Sequence, residues 1–135
     1  MKSLAAGTAL LLSLTLAGCS DAEDLARDTA DDAACSVARS AMDEASAQAK
    51  QAVEDINADP QAARRELAAL RDTLQALEGR VDGETGGKVT EARAALDKLV
   101  EQADAARDGT PVDDQAVADA EAELDTAVED FTSLC

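Results

Sequence analysis

The sequence predicts an all-α protein that folds as an antiparallel, up-down four-helix bundle. Three observations favour this class. Alanine, glutamate, glutamine, arginine and leucine, which are good helix formers, dominate the chain from about residue 33 onward. Apolar residues recur there at three- and four-residue steps, and the alternating pattern typical of strands does not occur. Short connections containing glycine, proline or aspartate divide this part of the chain into four segments.

The first helix is predicted over residues 31–57, with an inward row of mostly small residues. That row consists of Ala38, Met42, Ala45, Ala49, Ala52 and Ile56. Small side chains allow neighbouring helices to approach closely. After this helix, Asp59 can cap the next one and Pro60 suits its first position.

The second and third helices carry similar apolar rows at heptad spacing. The second row consists of Leu67, Leu70, Leu74, Leu77 and Val81, and the third of Val89, Ala92, Leu96, Leu99 and Ala103. Gly79, Gly83 and the pair Gly86-Gly87 are expected to interrupt the second helix and to form a flexible connection. Gly109 offers a C-terminal cap for the third helix.

The fourth helix is predicted to start with Thr110 as its N-cap and Pro111 in its first turn. Its inward row consists of Val117, Ala120, Leu124, Val128, Phe131 and Leu134. Heptad rows can also drive association with a second chain, so the oligomeric state stays open. Each helix covers only about three heptads before a turn, which favours packing within one chain.

The N-terminus has the features of a bacterial secretory signal. Lys2 supplies the positive charge, and residues 4–17 form an apolar run shorter than the roughly 20 residues that span a bilayer. The run ends in Leu16-Ala17-Gly18-Cys19, which resembles the lipobox of bacterial lipoproteins. The resemblance covers residues 1–19 and implies removal of residues 1–18 and acylation of Cys19. The alternative is an ordinary signal peptide that is cleaved nearby and leaves Cys19 free.

Residues 19–32 are predicted to be a lipidated acidic tether that lifts a helical domain, residues 33–135, off the membrane. Ser20 and Glu23 fit a capping box, so part of the tether is a candidate helix. The expected location is therefore extracytoplasmic, with the acyl chains on Cys19 as the membrane anchor. The identity of the membrane and of its leaflet stays open.

With Cys19 assigned to lipid by that resemblance, Cys35 and Cys135 remain as an even pair in an oxidising compartment, which predicts a disulfide. The alternative, a redox or metal-binding pair, lacks a CxxC spacing or a nearby histidine. An even number of antiparallel helices brings these two positions to the same end. Three or five helices would separate them by about 30 Å. The expected fold is therefore a four-helix bundle closed by this disulfide.

Composition excludes several classes of function. The chain has 12 basic and 29 acidic residues, a formal net charge of −17, which argues against nucleic-acid binding. It has no histidine, tryptophan or tyrosine, so the usual general base near neutral pH is missing. Paired acids such as Asp43-Glu44 are consecutive and diverge by about 100° on a helix. No enzymatic activity is expected.

Two segments superficially match ligand-binding loops. Residues 82–89 resemble a phosphate loop, but Asp82 replaces the first glycine and Val89 replaces the magnesium-binding hydroxyl. Residues 104–115 can be laid over a calcium loop, but Ala106 and Gln115 occupy ligand positions. No catalytic, cofactor or metal site is predicted.

The expected function class is a structural or protein-interaction module at the bacterial cell envelope, with an envelope protein as its candidate partner. The alternative is a ligand-binding lipoprotein that captures a cation or a small cationic solute on its acidic surface.

Overall fold

The computed structural model describes residues 20–135, with side chains described from residue 31 onward. This part of the chain forms four helices: α1 (Ser20–Asp55), α2 (Pro60–Glu78), α3 (Gly83–Arg107) and α4 (Asp114–Leu134). It contains no strand, which confirms the predicted all-helical class and the number of helices. None of these four helices is long and apolar enough to cross a membrane. The predicted signal, residues 1–18, and Cys19 lie outside the described residues.

Helix α1 begins earlier than predicted, at Ser20, and runs for 36 residues. From Ser20 onward the expected tether is therefore helical, and residues 20–35 span about 22 Å at a rise of 1.5 Å per residue. Among the described side chains, burial starts at Ala38, and all six residues of the predicted inward row are buried. The alanine-rich row is confirmed.

Helix α2 begins as the sequence predicts. The Asp59 carboxylate accepts a hydrogen bond from the Ala62 N–H at 3.0 Å, and Pro60 is the first helical residue. The four leucines of the predicted row are buried, together with Ala63. Val81 is only half-buried because it lies beyond the end of the helix, in the connection to α3.

The expectation that Gly83, Gly86 and Gly87 belong to a flexible connection is wrong, because α3 starts at Gly83 and contains Gly86 and Gly87. Gly83 has a φ of 64°, in the left-handed region that glycine adopts without strain. A Cβ on Gly86 would lie 2.8 Å from the Val81 carbonyl oxygen, so the backbone at Val81 leaves no room for a side chain at position 86. These glycines therefore permit a tight turn into α3, and the connection is only four residues long.

The predicted N-cap of α4 is also wrong: Asp113, not Thr110, caps the helix. The Asp113 carboxylate accepts from the N–H groups of Gln115 at 3.0 Å and Ala116 at 3.1 Å. The end of α3 follows the prediction, since Gly109 has a φ of 82° directly after the C-cap residue Asp108.

One hydrophobic core joins the four helices. Helix α3 packs extensively against α2 and α4, whereas α1 packs against α2 and α4 and barely touches α3. The largest fully buried side chains are Phe131, Met42, Ile56, Leu67, Leu74, Leu96, Leu99, Leu124 and Val89. Every predicted member of the α3 row is buried. Leu134 is an exception in α4: it lies in the last turn and is 44 % exposed.

Candidate functional site

The structure joins the two predicted site cysteines in a disulfide. Cys35 lies in α1, and Cys135 follows the last residue of α4, with the two Cα atoms 5.6 Å apart. Each is half-buried, and the bond closes a sequence separation of 100 residues. The predicted pairing is confirmed. Cys19, the predicted lipidation site, is not among the described residues.

The α2–α3 connection lies at the same end of the bundle as the disulfide. A shallow depression beside Cys35 is lined by Asp31, Arg80, Asp82 and Thr85. The disulfide therefore lies between an apolar core, which ends at Phe131, and a polar rim that carries charges of both signs.

A polar cluster links the C-terminal third of α1 to α4. The Ser46 hydroxyl, which is 8 % exposed, donates to Asp125 Oδ1 at 2.9 Å, and Lys50 Nζ lies 2.8 Å from Asp125 Oδ2. Partial burial of the Asp125 carboxyl opposes its ionisation, but the bonds from Lys50 and Ser46 outweigh this effect and lower its pKa. The hydrogen bond and the charge of Asp125 in turn raise the pKa of Lys50.

Sequence reasoning missed this cluster. A signal for its first member existed, since Ser46 follows Met42 by four residues and so falls on the inward face of α1. Its partner is 79 positions away in the chain, and no local pattern connects the two.

The remaining ion pairs between helices tie α3 to α2 and to α4. Arg64 pairs with Asp104 at 2.7 Å, and Glu78 pairs with Arg93 at 3.1 Å, between α2 and α3. Lys88 pairs with Asp130 at 2.9 Å, and Lys98 donates to Glu123 at 2.7 Å, between α3 and α4. All are exposed or half-exposed, so each contributes only about 0–1 kcal/mol.

No ion pair joins α1 to α2 among the described side chains. The surface between these helices is instead a shallow groove lined by Val37, Ala41, Thr73, Ala76 and Leu77. Val37 is 65 % exposed, the most exposed large apolar side chain of the described residues.

The two loop-like segments have structural roles. The Asp82 carbonyl accepts from Thr85 Oγ1 at 2.7 Å, within the turn that starts α3. Asp104 pairs with Arg64 and Arg107, and Asp113 caps α4, so these carboxylates already have partners. Within the described part of the chain, no group of three or more carboxylate or thiol side chains is arranged to hold a metal ion.

Comparison of the chain with protein-family models, with curated protein sequences and with solved structures gives no match.

Proposed function

We propose that the chain is a lipid-anchored, extracytoplasmic helical protein with a structural or protein-interaction role at the bacterial cell envelope. The observation that carries this proposal is the Cys35–Cys135 disulfide. Structural disulfides persist outside the cytoplasm, where thiol-reducing systems do not keep cysteines reduced. This supports the export that the lipobox-like segment ending in Cys19 implies.

The position of α1 supports the anchoring role. Its first residue, Ser20, directly follows the proposed lipid-bearing Cys19, so one continuous helix would connect the acyl chains to the bundle. The segment from Ser20 to Cys35 spans about 22 Å, against a Debye length of about 8 Å at physiological ionic strength. Repulsion between the acidic bundle and anionic headgroups would be largely screened at that distance.

We also propose that the four helices run up, down, up and down, each antiparallel to its neighbours in the chain. The ion pairs support this arrangement. In each pair of helices, a residue later in one helix pairs with a residue earlier in the other, as antiparallel helices require. On α2 and α3, Arg64 pairs with Asp104, whereas Glu78, further along α2, pairs with the earlier Arg93. Helices α3 and α4 follow the same rule, and α1 and α4 do so through the disulfide and the Lys50–Asp125 pair.

Carbodiimide crosslinking tests the arrangement, since it joins only amines and carboxylates in direct contact. We expect crosslinked peptides that join Lys88 to Asp130 and Lys98 to Glu123, with loss of the second product in Lys98→Arg as the matched control. Crosslinks from Lys88 to acids in the first turns of α4, such as Asp114, would contradict the antiparallel order.

Lipid attachment is tested by replacing Cys19. In the native host, Cys19→Ser should abolish incorporation of a labelled fatty acid and move the protein from the membrane to the soluble fraction. The neighbouring substitution Ser20→Ala serves as the matched control and should leave both unchanged. Continued labelling of Cys19→Ser would overturn the anchoring proposal.

Thermal unfolding distinguishes the interaction role from cation capture. Binding to the folded state raises the melting temperature in a saturable way, whereas non-specific screening of an acidic surface disappears in moderate salt. For an interaction module we expect that calcium and spermidine produce no saturable rise in 150 mM salt. A saturable rise under those conditions would instead support the ligand-binding lipoprotein.

A further inference from the structure

Helix α1 contributes less to the core than the other helices do. Its buried residues are four alanines together with Met42 and Ser46, whereas α2, α3 and α4 bury leucines, valines and Phe131. It also packs less extensively on its neighbours than α3 does. Few apolar carbons therefore hold α1 against the bundle.

The segment of α1 between Cys35 and Ser46 has few polar ties to the rest of the bundle. Its buried side chains are Ala38, Met42 and Ala45, and Val37 points to solvent. Its polar tie to α4 is a hydrogen bond of 3.4 Å from Arg39 Nη2 to the Thr132 carbonyl, near the upper limit for such a bond. The first short polar contact to α4 is that of Ser46 with Asp125. The disulfide is therefore the strongest connection between this segment and the rest of the bundle.

We propose that the Cys35–Cys135 disulfide is a redox-sensitive switch that controls this segment of α1. When the bond is reduced, residues 35–45 detach from α2 and α4, while α2, α3 and α4 stay folded around their leucine-rich core. Both cysteines are half-exposed, and Cys35 lines the surface depression beside Arg80 and Asp82, which is where a reductant would approach the bond.

The reductant class is a protein or small-molecule dithiol that acts on this bond locally, within the otherwise oxidising compartment of the proposed function. One of its thiolates attacks a sulfur of the disulfide, the Cys35–Cys135 bond breaks, and a mixed disulfide forms. The second thiol then displaces the bound cysteine as a thiolate, which takes up a proton. Two electrons and two protons pass to the chain, and the dithiol becomes a disulfide. The same reaction in reverse closes the switch.

The size of the effect follows from loop closure. With the disulfide intact, a detached segment between Cys35 and Ser46 would be a loop of about 11 residues that is fixed at both ends. In the chain-entropy relation, fixing both ends of such a loop makes its detachment from the bundle about 10²-fold less frequent. Reduction removes that constraint, so opening becomes about 10²-fold more frequent.

Hydrogen exchange measured by mass spectrometry tests the switch on the full-length chain, oxidised and after treatment with dithiothreitol. On reduction, amides of residues 38–45 should exchange about 10²-fold faster, whereas those of residues 92–103 in α3 should change less than about twofold. The double variant Cys35→Ser/Cys135→Ser is the matched control. It should show the reduced pattern without dithiothreitol and should not respond when dithiothreitol is added.

Two results would overturn the proposal. Equal acceleration in all four helices would mean that the disulfide holds the whole bundle and controls no separate segment. Unchanged exchange in residues 38–45 would mean that the alanine row alone holds this part of α1.

Discussion

The close packing of α1 predicts that its alanine row does not tolerate larger residues. Ala49 is fully buried in that row, on a helix that packs against α2 and α4. A leucine at this position adds three carbon atoms. If there were room, their burial would stabilise the fold by about 0.8 kcal/mol per carbon. Because Ala49 has no exposed surface, we expect instead that the helices are forced apart, at a cost of about 1–3 kcal/mol.

Urea denaturation followed by circular dichroism measures this effect. With an m-value of about 2 kcal/mol/M, Ala49→Leu should lower the unfolding midpoint by about 0.5–1.5 M. The matched control is Ala47→Leu, an exposed position two residues away, where the midpoint should change by less than about 0.2 M because the two residue types differ little in helix propensity. Equal midpoints for the two variants, or a higher midpoint for Ala49→Leu, would refute the close approach of α1.

Three further substitutions test the core, a helix cap and the polar cluster. Leu96→Ala should lower the free energy of unfolding by about 2–5 kcal/mol in urea denaturation, and a loss below about 1 kcal/mol would contradict its complete burial. Asp113→Ala should lower the free energy of unfolding by about 1 kcal/mol, whereas Asp113→Asn and Thr110→Ala should leave it near the wild-type value. An equal loss in Thr110→Ala would show that Thr110 also caps the helix. Folding lowers the pKa of Asp125, so its ionised form stabilises the fold above the ordinary value of 3.8, and this contribution is lost as pH falls through the folded pKa. The difference in urea midpoint between the wild type and Asp125→Asn should therefore be constant near neutral pH and should shrink below pH 3.8; a constant difference down to pH 2 would contradict the lowered pKa.

The inward rows of the helices were predictable because they depend on the spacing of nearby residues. The disulfide was predictable from the number of cysteines and the number of helices. Helical periodicity alone identifies the buried face of α1 from Ala38 to Ala52, since side chains three and four residues apart share a face. The pairing of Cys35 with Cys135 was expected because the lipobox resemblance assigns Cys19 to lipid and leaves two cysteines, and because an even number of antiparallel helices brings these two to the same end.

The errors occur where a tertiary contact decides between local alternatives. Thr110 and Asp113 are both good N-cap types, but Gln102 of α3 accepts a hydrogen bond from the Asp113 N–H at 3.0 Å and thereby holds that residue at the start of α4. Position 86 requires glycine because the Val81 carbonyl lies beside it. Sequence rules that consider only neighbouring residues instead interpret a glycine pair as the end of a helix. The Ser46–Asp125 bond depends on how two distant helices meet.

The composition of α1 gives a physical reason for the disulfide. Each alanine in its inward row buries about three fewer carbons than a leucine would, a loss of roughly 2 kcal/mol of apolar burial per position. Enlarging these residues does not recover that energy if the helices already touch, as Ala49→Leu tests. The Cys35–Cys135 bond holds the start of the buried part of α1 beside the end of α4 without adding any volume to the core. A disulfide can therefore hold a closely packed, alanine-rich helix in place where larger core side chains would not fit.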